Sequence, residues 1–271
     1  MPQIHPTALV HDSARLAHDV IIGPYAIIED HVVLESGCRV EAHAQILART
    51  IIGEQCVIGR AAIVGGDPQS LSFDPAIPSQ VVLGKGNRLR EHVTIHRSMY
   101  EGKATVIGED NFLMAGSHVG HDTIMGNRNV LANCVLLGGH VTVGNNVFLG
   151  GGSVFHQFIR VGDGSITQGV SGFSMDLPPF VVGASINQVR GLNVIGLKRA
   201  GFDTPTRQAI KRAFDLLYRS GKNYRQAIEA ARQQTWPEPA ERFIAFFESR
   251  GPKGVASLAR QGSESLRPDE R

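Results

Sequence analysis

The sequence predicts a mainly β repeat fold followed by a helical region, and two periodic patterns support the repeat fold. Every sixth residue from Ile4 to Val64 is aliphatic, without a miss. Four residues after each of these positions stands a small or branched residue, such as Ala26 or Cys38. A period of six fits neither an α-helix nor simple strand alternation, and it is typical of hexapeptide repeats in which three hexapeptides close one coil. We therefore predict a left-handed parallel β-helix with the aliphatic side chains stacked inside.

Two interruptions of this period predict loops. The segment from Gly66 to Gln80 has no period and contains three prolines, so we predict a loop that leaves the solenoid. A second excursion is predicted from His96 to Ala104. The period then runs from Ile107 and is predicted to stop at Thr167. Loops of this length in a compact repeat domain are usually functional, and the alternative is a pair of insertions that the solenoid merely tolerates.

After Pro178 and Pro179 the apolar spacing becomes helical. Thr204 followed by Pro205 predicts a helix start, with Thr204 as the cap. The predicted helices are Gly191 to Ala200, Thr204 to Arg219, Tyr224 to Gln234 and Glu238 to Arg250. We therefore divide the chain into a β-helix over 1–186, a helical domain over 187–252, and a polar tail over 253–271 that is expected to be disordered.

Composition and charge restrict the class of protein. The 271 residues are 42% hydrophobic and carry a formal net charge of +2. Between Arg190 and Lys253, however, basic residues exceed acidic ones by seven, which predicts an acidic partner unless these charges simply cover solvated helix faces. Three cysteines do not make a disulfide framework. Because no secretory signal or membrane-length apolar run is present, we expect a cytoplasmic protein without membrane insertion or a nucleic-acid partner.

The histidines of the second half converge on one edge of the predicted solenoid. One coil takes about 18 residues if three hexapeptides close it, so residues that far apart lie above one another. His121, His140 and His156 fall within one residue of such a column. His118 lies on the same coil as His121. Single histidines are more often surface residues than catalytic ones, but four on one edge predict a functional site.

The same edge offers groups for acid–base chemistry. A histidine with a pKa of about 6.5 is suited to act as a general base near neutral pH. Asp122 follows His121 directly and is in position to support its imidazolium. The pair Gly138 and Gly139 leaves a backbone N–H near His140 for a developing oxyanion. Hexapeptide solenoids commonly form trimers, so we expect a cleft that two subunits share.

At these residues the sequence resembles the UDP-N-acetylglucosamine 3-O-acyltransferase family, LpxA. The resemblance runs from Ile4 to about Arg250 and covers both domains in their order. It is therefore more specific than the hexapeptide repeat, which many acyltransferases share. The matching segments are Ile95–Arg97, His118–Asp122, Gly126–Asn133, Gly138–Val141, Val154–Phe158, Ser171–Phe180, Gly191–Phe202 and Tyr218–Lys222.

The resemblance implies transfer of an (R)-3-hydroxyacyl chain from acyl carrier protein to the 3-hydroxyl of UDP-N-acetylglucosamine, the first step of lipid A biosynthesis, by a homotrimer. It implies His121 as the general base, Asp122 as its support and the Gly139 N–H as the oxyanion donor. No metal or cofactor is implied besides the acyl carrier protein thioester, a co-substrate. The family's substrate-binding positions correspond here to Gln69, His96, His118, His140, His156, Gln157, Asn193 and Arg199.

In this family a residue in the coil after the last histidine limits acyl length, and here that position corresponds to Gly169. Because glycine leaves the groove open, we expect a preference for chains of about C12 to C14 over C10. Four departures concern the acceptor. Ser70 and Ser72 replace a carboxylate and a lysine, Ile195 replaces a glutamate, and Ala200 replaces an arginine. A 3-amino analogue of the sugar nucleotide is therefore an alternative acceptor.

Three other functions compete with this interpretation. A γ-class carbonic anhydrase would use His118, His121 and His140 as zinc ligands on the same solenoid, but it does not need the helical domain. The related N-acyltransferase family LpxD carries an extra domain before its solenoid, whereas the repeats begin here at Ile4. A solenoid scaffold without catalysis would leave the histidine edge unexplained.

Overall fold

The structure is a computed structural model that describes residues 1–259. Its first 173 residues form a parallel β-helix of short strands, in agreement with the predicted fold class. Strands β1 to β26 are, in chain order, Gln3–Ile4, Leu9–Val10, Arg15–Leu16, Ile21–Ile22, Ile27–Ile28, Val33–Leu34, Arg39–Val40, Gln45–Ile46, Ile51–Ile52, Val57–Ile58, Ile63–Gly66, Gln80–Leu83, Arg88–Leu89, Thr94–His96, Ala104–Ile107, Phe112–Leu113, His118–Val119, Ile124–Met125, Val130–Leu131, Leu136–Leu137, Thr142–Val143, Phe148–Leu149, Val154–Phe155, Arg160–Val161, Ile166–Thr167 and Gly172–Phe173.

The coil repeats after three strands. Each strand from β1 to β23 pairs in parallel with the third strand after it, so three flat sheets enclose the core. In the first coils the pairing joins residues 18 apart, as in Ile4 with Ile22 and Ile22 with Val40. Ile22, Ile28 and Leu34 are at most 2% exposed. Burying such side chains contributes roughly 1.5–3 kcal/mol each, which explains why the period of six is so strict.

A polar ladder continues the core along one corner. Asn111 donates from Nδ2 to Oδ1 of Asn87 at 3.0 Å, and Asn129 donates its backbone N–H to Oδ1 of Asn111 at 2.8 Å. Cys38 and Cys56 occupy the same corner in earlier coils, and their thiols donate to turn carbonyls at 3.1 Å. Both cysteines are buried and free.

The end of the solenoid differs from the prediction. The period of six continues one step beyond Thr167, because Phe173 is buried and belongs to β26. The chain then forms β27 (Val181–Ala184) and β28 (Gln188–Leu192), which pair antiparallel and extend one sheet. The boundary drawn at residue 187 therefore falls inside this hairpin. The helix predicted from Gly191 is shorter, since α1 spans only Val194–Arg199.

The segment after the last helix also differs from the prediction. Strand β29 (Ser257–Leu258) pairs in parallel with β28, so the tail predicted from residue 253 is ordered in its first part. The backbone N–H groups of Ser257 and Ala259 donate to the carbonyls of Asn187 and Val189. These hydrogen bonds use an open sheet edge, which sequence periodicity alone does not reveal. The remainder of the predicted tail, 260–271, lies outside the described residues.

Three helices pack into a small domain against the solenoid. They are α2 (Thr204–Arg219), α3 (Tyr224–Arg232) and α4 (Glu238–Glu248). Asp203, rather than the predicted Thr204, caps α2, because its side chain accepts the Thr206 N–H at 2.8 Å. The aromatic rings of Phe214, Phe243 and Phe247 form the centre of the domain. None of the helices within residues 1–259 combines the length and apolar character that crossing a bilayer requires.

An ion pair and hydrogen bonds of two arginines attach this domain to the solenoid. Arg160 of β24 donates to the buried carboxylate of Asp176 at 2.9 Å and to the Phe246 carbonyl at 3.1 Å. Its guanidinium also lies 4.3 Å from the Phe246 ring. Arg242 of α4 donates to Asp163 at 2.5 Å. Because these contacts join the last coils to α4, the helical domain has a fixed position beside the solenoid.

Candidate active site

One turn of the coil, repeated in successive layers, positions the candidate catalytic residues. The pairing of His118 with Leu136 and of Leu136 with Val154 places the turns after β17, β20 and β23 above one another. The second turn residue is Asp122, His140 or Phe158, with φ of 59°, 60° and 68°. A positive φ at this position is the geometry of a type II turn. The same conformation recurs throughout the solenoid, so it is a property of the coil rather than local strain.

His121 and Asp122 form a buried hydrogen-bonded pair. Nδ1 of His121 lies 2.9 Å from Oδ2 of Asp122, and both side chains are about one-tenth exposed. Because a carboxylate accepts, Nδ1 carries the hydrogen and Nε2 keeps a free lone pair. Burial alone would raise the pKa of Asp122, but hydrogen bonds from Ser98, from His121 and from the Met99 N–H outweigh it and lower that pKa. The pair therefore holds the His121 ring beside a carboxylate that keeps its negative charge.

Gly139 lies directly against the His121 ring. A Cβ atom built on Gly139 would come within 2.5 Å of Nε2 and Cε1 of His121. Only glycine therefore allows this close approach. Its backbone N–H has no acceptor among residues 1–259, since the neighbouring N–H groups of Gly138 and His140 are the ones that bond to the adjacent coils. A base and an unoccupied N–H donor thus stand side by side.

Three further histidines surround the pair. Nδ1 of His118 lies 2.8 Å from Oγ1 of Thr94, and the His118 ring meets the His96 ring edge-on with centroids 4.7 Å apart. Burial, and then repulsion from His118 and His121, lowers the pKa of His96 to about 4. Burial and the nearby His121 also lower the pKa of His118. Both rings are therefore neutral at pH 7.

His140 lies on the other side of His121. The two ring centroids are 5.1 Å apart, and Nε2 of His140 is 3.9 Å from Oδ2 of Asp122. The His140 ring stacks on Phe158 at 4.4 Å, with Tyr100 tilted towards it at 5.9 Å. Burial and the neighbouring His121 lower the pKa of His140, and together they outweigh the charge of Asp122, which raises it. This imidazole, too, is neutral at pH 7.

A cavity of about 500 Å³ opens in front of His121. Seven of the predicted site residues line it: Gln69, His96, His118, His121, Gly139, His156 and Gln157. Part of the remaining wall is an apolar strip of Leu136, Val154, Gly172 and Ile186, which the sequence analysis missed. These residues stack through the pairings of Leu136 with Val154 and of Val154 with Gly172, followed by a bridge from Gly172 to Ile186. An outward apolar residue at every 18th position is the signal that predicts such a strip.

Other predicted residues lie outside the cavity. Asn193 caps α1 by accepting the Gly196 N–H at 2.9 Å, and its Nδ2 donates to the Gly164 carbonyl at 3.0 Å. Arg199 is exposed at the end of α1, and Gly169 is exposed in the turn between β25 and β26. His156 lines the cavity, but its register places it in the column of Gly138 rather than that of His121 or His140. His118, His121 and His156 thus line one cavity without forming a single column, and His140 lies behind His121 beside Asp122.

The predicted zinc ligands do not come together as a set. The ligand atoms of His121, Asp122 and His140 lie within 4.8 Å of one another. His118, the third ligand of the predicted zinc set, is outside this group and lies against Thr94. The Asp122 carboxylate already accepts three hydrogen bonds. This donor arrangement fits a supported general base better than a zinc site.

The first loop is anchored by Arg97, whose role the sequence analysis did not identify. Arg97 is only 8% exposed. Its guanidinium donates to Asp67 at 2.8 Å and to the carbonyls of Pro75 and Ile77 at 2.8 and 2.5 Å. These contacts hold the loop over 67–79, which carries Gln69 to the cavity. The only sequence signal was the position of Arg97 in a segment that resembles the acyltransferase family.

We predict that Gly139→Ala lowers kcat by about 10²–10³, the effect of disturbing an oxyanion donor. The added methyl group would displace the His121 ring, while the fold should remain intact. Steady-state kinetics and thermal denaturation together test this. Gly251→Ala is the matched control, because its nearest neighbour would be 3.8 Å from the new Cβ atom. Wild-type kcat in Gly139→Ala would contradict the assigned geometry.

The lowered pKa of His96 predicts a loss of stability in acid. An unfolded chain binds the imidazole proton near pH 6.5, whereas folded His96 binds it near pH 4. Between these values the unfolded state binds more protons, so the free energy of unfolding falls as the pH is lowered. The fall is about 2 kcal/mol, because solvent screening of this partly buried ring reduces the full value of roughly 3 kcal/mol. His96→Gln should weaken this dependence in melts between pH 7 and pH 4, whereas exposed His92→Gln should not. Identical slopes for all three proteins would contradict the prediction.

Two known protein families match different parts of the chain. Residues 176–256 match the family described as "Udp N-acetylglucosamine O-acyltransferase; Domain 2". Residues 104–139 match the "Bacterial transferase hexapeptide (six repeats)" family. The first match covers the end of the solenoid and the helical domain, and the second covers the turns that carry His121 and Gly139.

Relatives match over almost the whole chain. An acyl-(acyl-carrier-protein)–UDP-N-acetylglucosamine O-acyltransferase of Paraburkholderia phymatum is 42% identical and covers 92% of this chain and 97% of its own. One from Syntrophobacter fumaroxidans is 41% identical over 85% and 90% of the two chains. Among solved structures, LpxA of Acinetobacter baumannii superposes with a TM-score of 0.89, at 33% identity over 93% of this chain and 99% of its own. The Francisella novicida UDP-N-acetylglucosamine acyltransferase gives 0.90 at 31% identity, over 96% and 95% of the two chains.

Proposed function

Because this chain belongs to the UDP-N-acetylglucosamine O-acyltransferase family, we propose that it transfers an (R)-3-hydroxyacyl chain from acyl carrier protein to the 3-hydroxyl of UDP-N-acetylglucosamine. The observation that carries the proposal is the side-by-side placement of the free Nε2 of His121 and the unoccupied N–H of Gly139. Acyl transfer needs a base for the attacking hydroxyl and a donor for the carbonyl oxygen. Both groups face one cavity with an apolar wall.

The reaction proceeds in two steps at these atoms. Nε2 of His121 removes the proton of the sugar 3-hydroxyl, whose oxygen forms a bond to the thioester carbonyl carbon. The carbonyl oxygen becomes an oxyanion that accepts the Gly139 N–H, and Asp122 stabilises the imidazolium. The tetrahedral intermediate then breaks its carbon–sulfur bond. The thiolate of the carrier protein leaves and takes the proton from His121, which regenerates the base.

The apolar strip suits the acyl chain. Leu136, Val154 and Ile186 are 44%, 47% and 70% exposed in this chain, and contiguous exposed apolar residues usually mark a binding surface. They continue from His118 along the outside of the solenoid, away from the catalytic pair. An acyl chain with its thioester at His121 would bury them. Ile186 lies over Gly172, where an added Cβ atom would come within 2.9 Å of its Cδ1 atom.

The remaining predicted binding residues favour a homotrimer with shared sites. Asn193 and Arg199 lie on or beside α1 and do not line the cavity of their own chain. In a trimer they would complete the nucleotide end of a neighbour's site, as the family resemblance implies. We therefore assign Gln69, His156 and Gln157 to the sugar nucleotide from one subunit, with Asn193 and Arg199 from the next.

The helical domain suits the acidic carrier protein, since basic residues exceed acidic ones by seven between Arg190 and Lys253. The reaction requires no metal or cofactor beyond the thioester substrate. We place the enzyme in the cytoplasm, where a carrier protein and a sugar nucleotide can meet. Metal analysis of the purified, active protein tests whether the reaction needs a metal. Stoichiometric zinc that is required for activity would contradict the proposal.

We predict that His121→Ala retains the fold but lowers kcat by about 10²–10⁴, the range of general-base contributions. The assay follows transfer from acyl carrier protein thioesters to UDP-N-acetylglucosamine and, in parallel, to its 3-amino analogue. The parallel assay decides between the two acceptors by comparing their rates of acylation. Both are tested because Ser70 and Ser72 bring no charge to the first loop and bond to each other at 3.0 Å. His31→Ala, an exposed turn histidine of another coil at the position equivalent to Asp122, is the control. More than about a tenth of wild-type kcat in His121→Ala would remove it from the role of base.

Shared sites predict complementation between two inactive variants. His121→Ala and Arg199→Ala each damage every site of a homotrimer, but a mixed trimer contains a site with both residues intact. Mixing the two chains during refolding should therefore restore activity. Arg199 is preferred to Asn193 here, because Asn193 also caps α1. A monomer in light scattering, or no recovery in mixed trimers, would contradict the shared-site proposal.

We predict that the wild type prefers acyl chains of about C12 to C14 and that Gly169→Met shifts the preference to shorter chains by filling the groove. The nearest atom to a new Cβ at Gly169 would be the Gly151 carbonyl oxygen at 3.2 Å, so a side chain fits after a small adjustment. A series of thioesters of graded length gives the measurement, with Gly169→Ala as the control. A C10 optimum in the wild type would contradict the open groove.

A further inference from the structure

The second loop places a buried serine against the catalytic pair. Ser98 lies between β14 and β15 and is 0% exposed. Its Oγ donates to Oδ1 of Asp122 at 2.5 Å and accepts the Tyr100 N–H at 3.0 Å. A carboxylate can only accept and a backbone N–H can only donate, so the single hydrogen of Oγ points to Asp122. The direction of this hydrogen bond is therefore fixed by the backbone of the loop.

Both loops hold Ser98 in this place. The Ser98 carbonyl accepts the Ser79 hydroxyl at 2.5 Å, and Ser79 in turn accepts a bond from Arg97 at 3.3 Å. The Gly102 N–H donates to the Pro78 carbonyl at 2.9 Å. The serine is thus held by the protein alone and needs no substrate to reach the carboxylate.

The two oxygens of Asp122 have different environments. Oδ2 accepts from the Met99 N–H at 3.1 Å and from Nδ1 of His121 at 2.9 Å. Oδ1 accepts from the side chain of Ser98 alone among residues 1–259. Removing the serine hydroxyl would leave Oδ1 buried without a donor, while Oδ2 keeps its contacts with Met99 and His121. An unsatisfied buried acceptor is costly, and its charge would act more strongly on the adjacent imidazole.

We propose that Ser98 is a positioning residue for the acyl transfer, whose hydroxyl fixes the Asp122 carboxylate against Nδ1 of His121. The proposal rests on the function proposed above and adds a third member to the catalytic pair. Ser98 does not line the cavity, so it acts through Asp122 rather than on the substrate. The other titratable or charged groups around the carboxylate are His140, His118, His96, Tyr100 and Arg97, which pairs with Asp67.

The pH dependence of kcat/KM distinguishes this role from a structural one. Without the Ser98 donor, the carboxylate carries more of its charge towards His121, so the imidazole binds a proton more readily and the acidic limb of the profile moves to higher pH. For Ser98→Ala we expect a rise of about half a pH unit and a fall in kcat of about tenfold. KM for the sugar nucleotide should stay within about twofold, because the substrate does not touch Ser98.

Three variants separate the hydroxyl from its surroundings. Ser98→Thr keeps the hydroxyl and should restore the wild-type profile. Ser98→Cys keeps the size but offers a weak donor, so it should behave like Ser98→Ala. Ser79→Ala removes one contact between the loops, but Ser98 keeps its own bonds to Asp122 and Tyr100, so the acidic limb should stay in place. Thermal melts confirm that each variant is folded.

Each result decides the proposal. An upward shift in the Ala and Cys variants, together with recovery in Thr, supports it. A wild-type acidic limb in folded Ser98→Ala, or a Cys variant that matches the wild type, overturns it. So does an equal shift in Ser79→Ala, because the effect would then come from the loops. An inactive wild type would instead overturn the proposed function, which keeps the two failures distinct.

Discussion

The vertical stacking of identical turns is the constraint on which the rest of the molecule depends. The inward aliphatic residues stack from coil to coil with almost no exposure, and a slip by one residue would turn this set to solvent. The register is therefore fixed by burial. Because the turns follow the strands, the same register determines that Gly139 lies over His121. Core packing thus sets the position of Gly139 relative to His121, and the loop hydrogen bonds to Asp122 complete the geometry of the site.

Burial and hydrogen bonding act in opposite directions within the site. Burial keeps His96, His118 and His140 neutral by lowering their pKa values. At Asp122, three hydrogen-bond donors overcome burial and preserve the charge. The result is one negative group among neutral rings, so a positive charge that develops on His121 meets little competing repulsion. In a less buried site, protonated neighbours would oppose that charge.

The parts of the structure that depend on period could be predicted from the sequence, and those that depend on unique contacts could not. The stacking of aliphatic residues is periodic, so the β-helix and both excursions were predicted. The pairing of β28 with β29 joins residues 188–189 to 257–258, and no local pattern marks such a contact. The site shows the same division. Its histidines and Gly139 lie on the repeat, whereas Arg97 and Ser98 act through loops whose course depends on their own hydrogen bonds.

The recurrence of the same turn has a consequence for how such sites arise. Asp122 and His140 occupy a left-handed position that His31, Arg49 and Ala61 occupy in coils without catalytic residues. The backbone of the site is therefore already present throughout the solenoid. A new function on this scaffold requires only the exchange of a few side chains on adjacent layers, with glycine where two layers approach most closely. The solenoid offers equivalent backbone positions in successive coils. This explains physically how one repeat can carry different catalytic side chains, in evolution or in protein design.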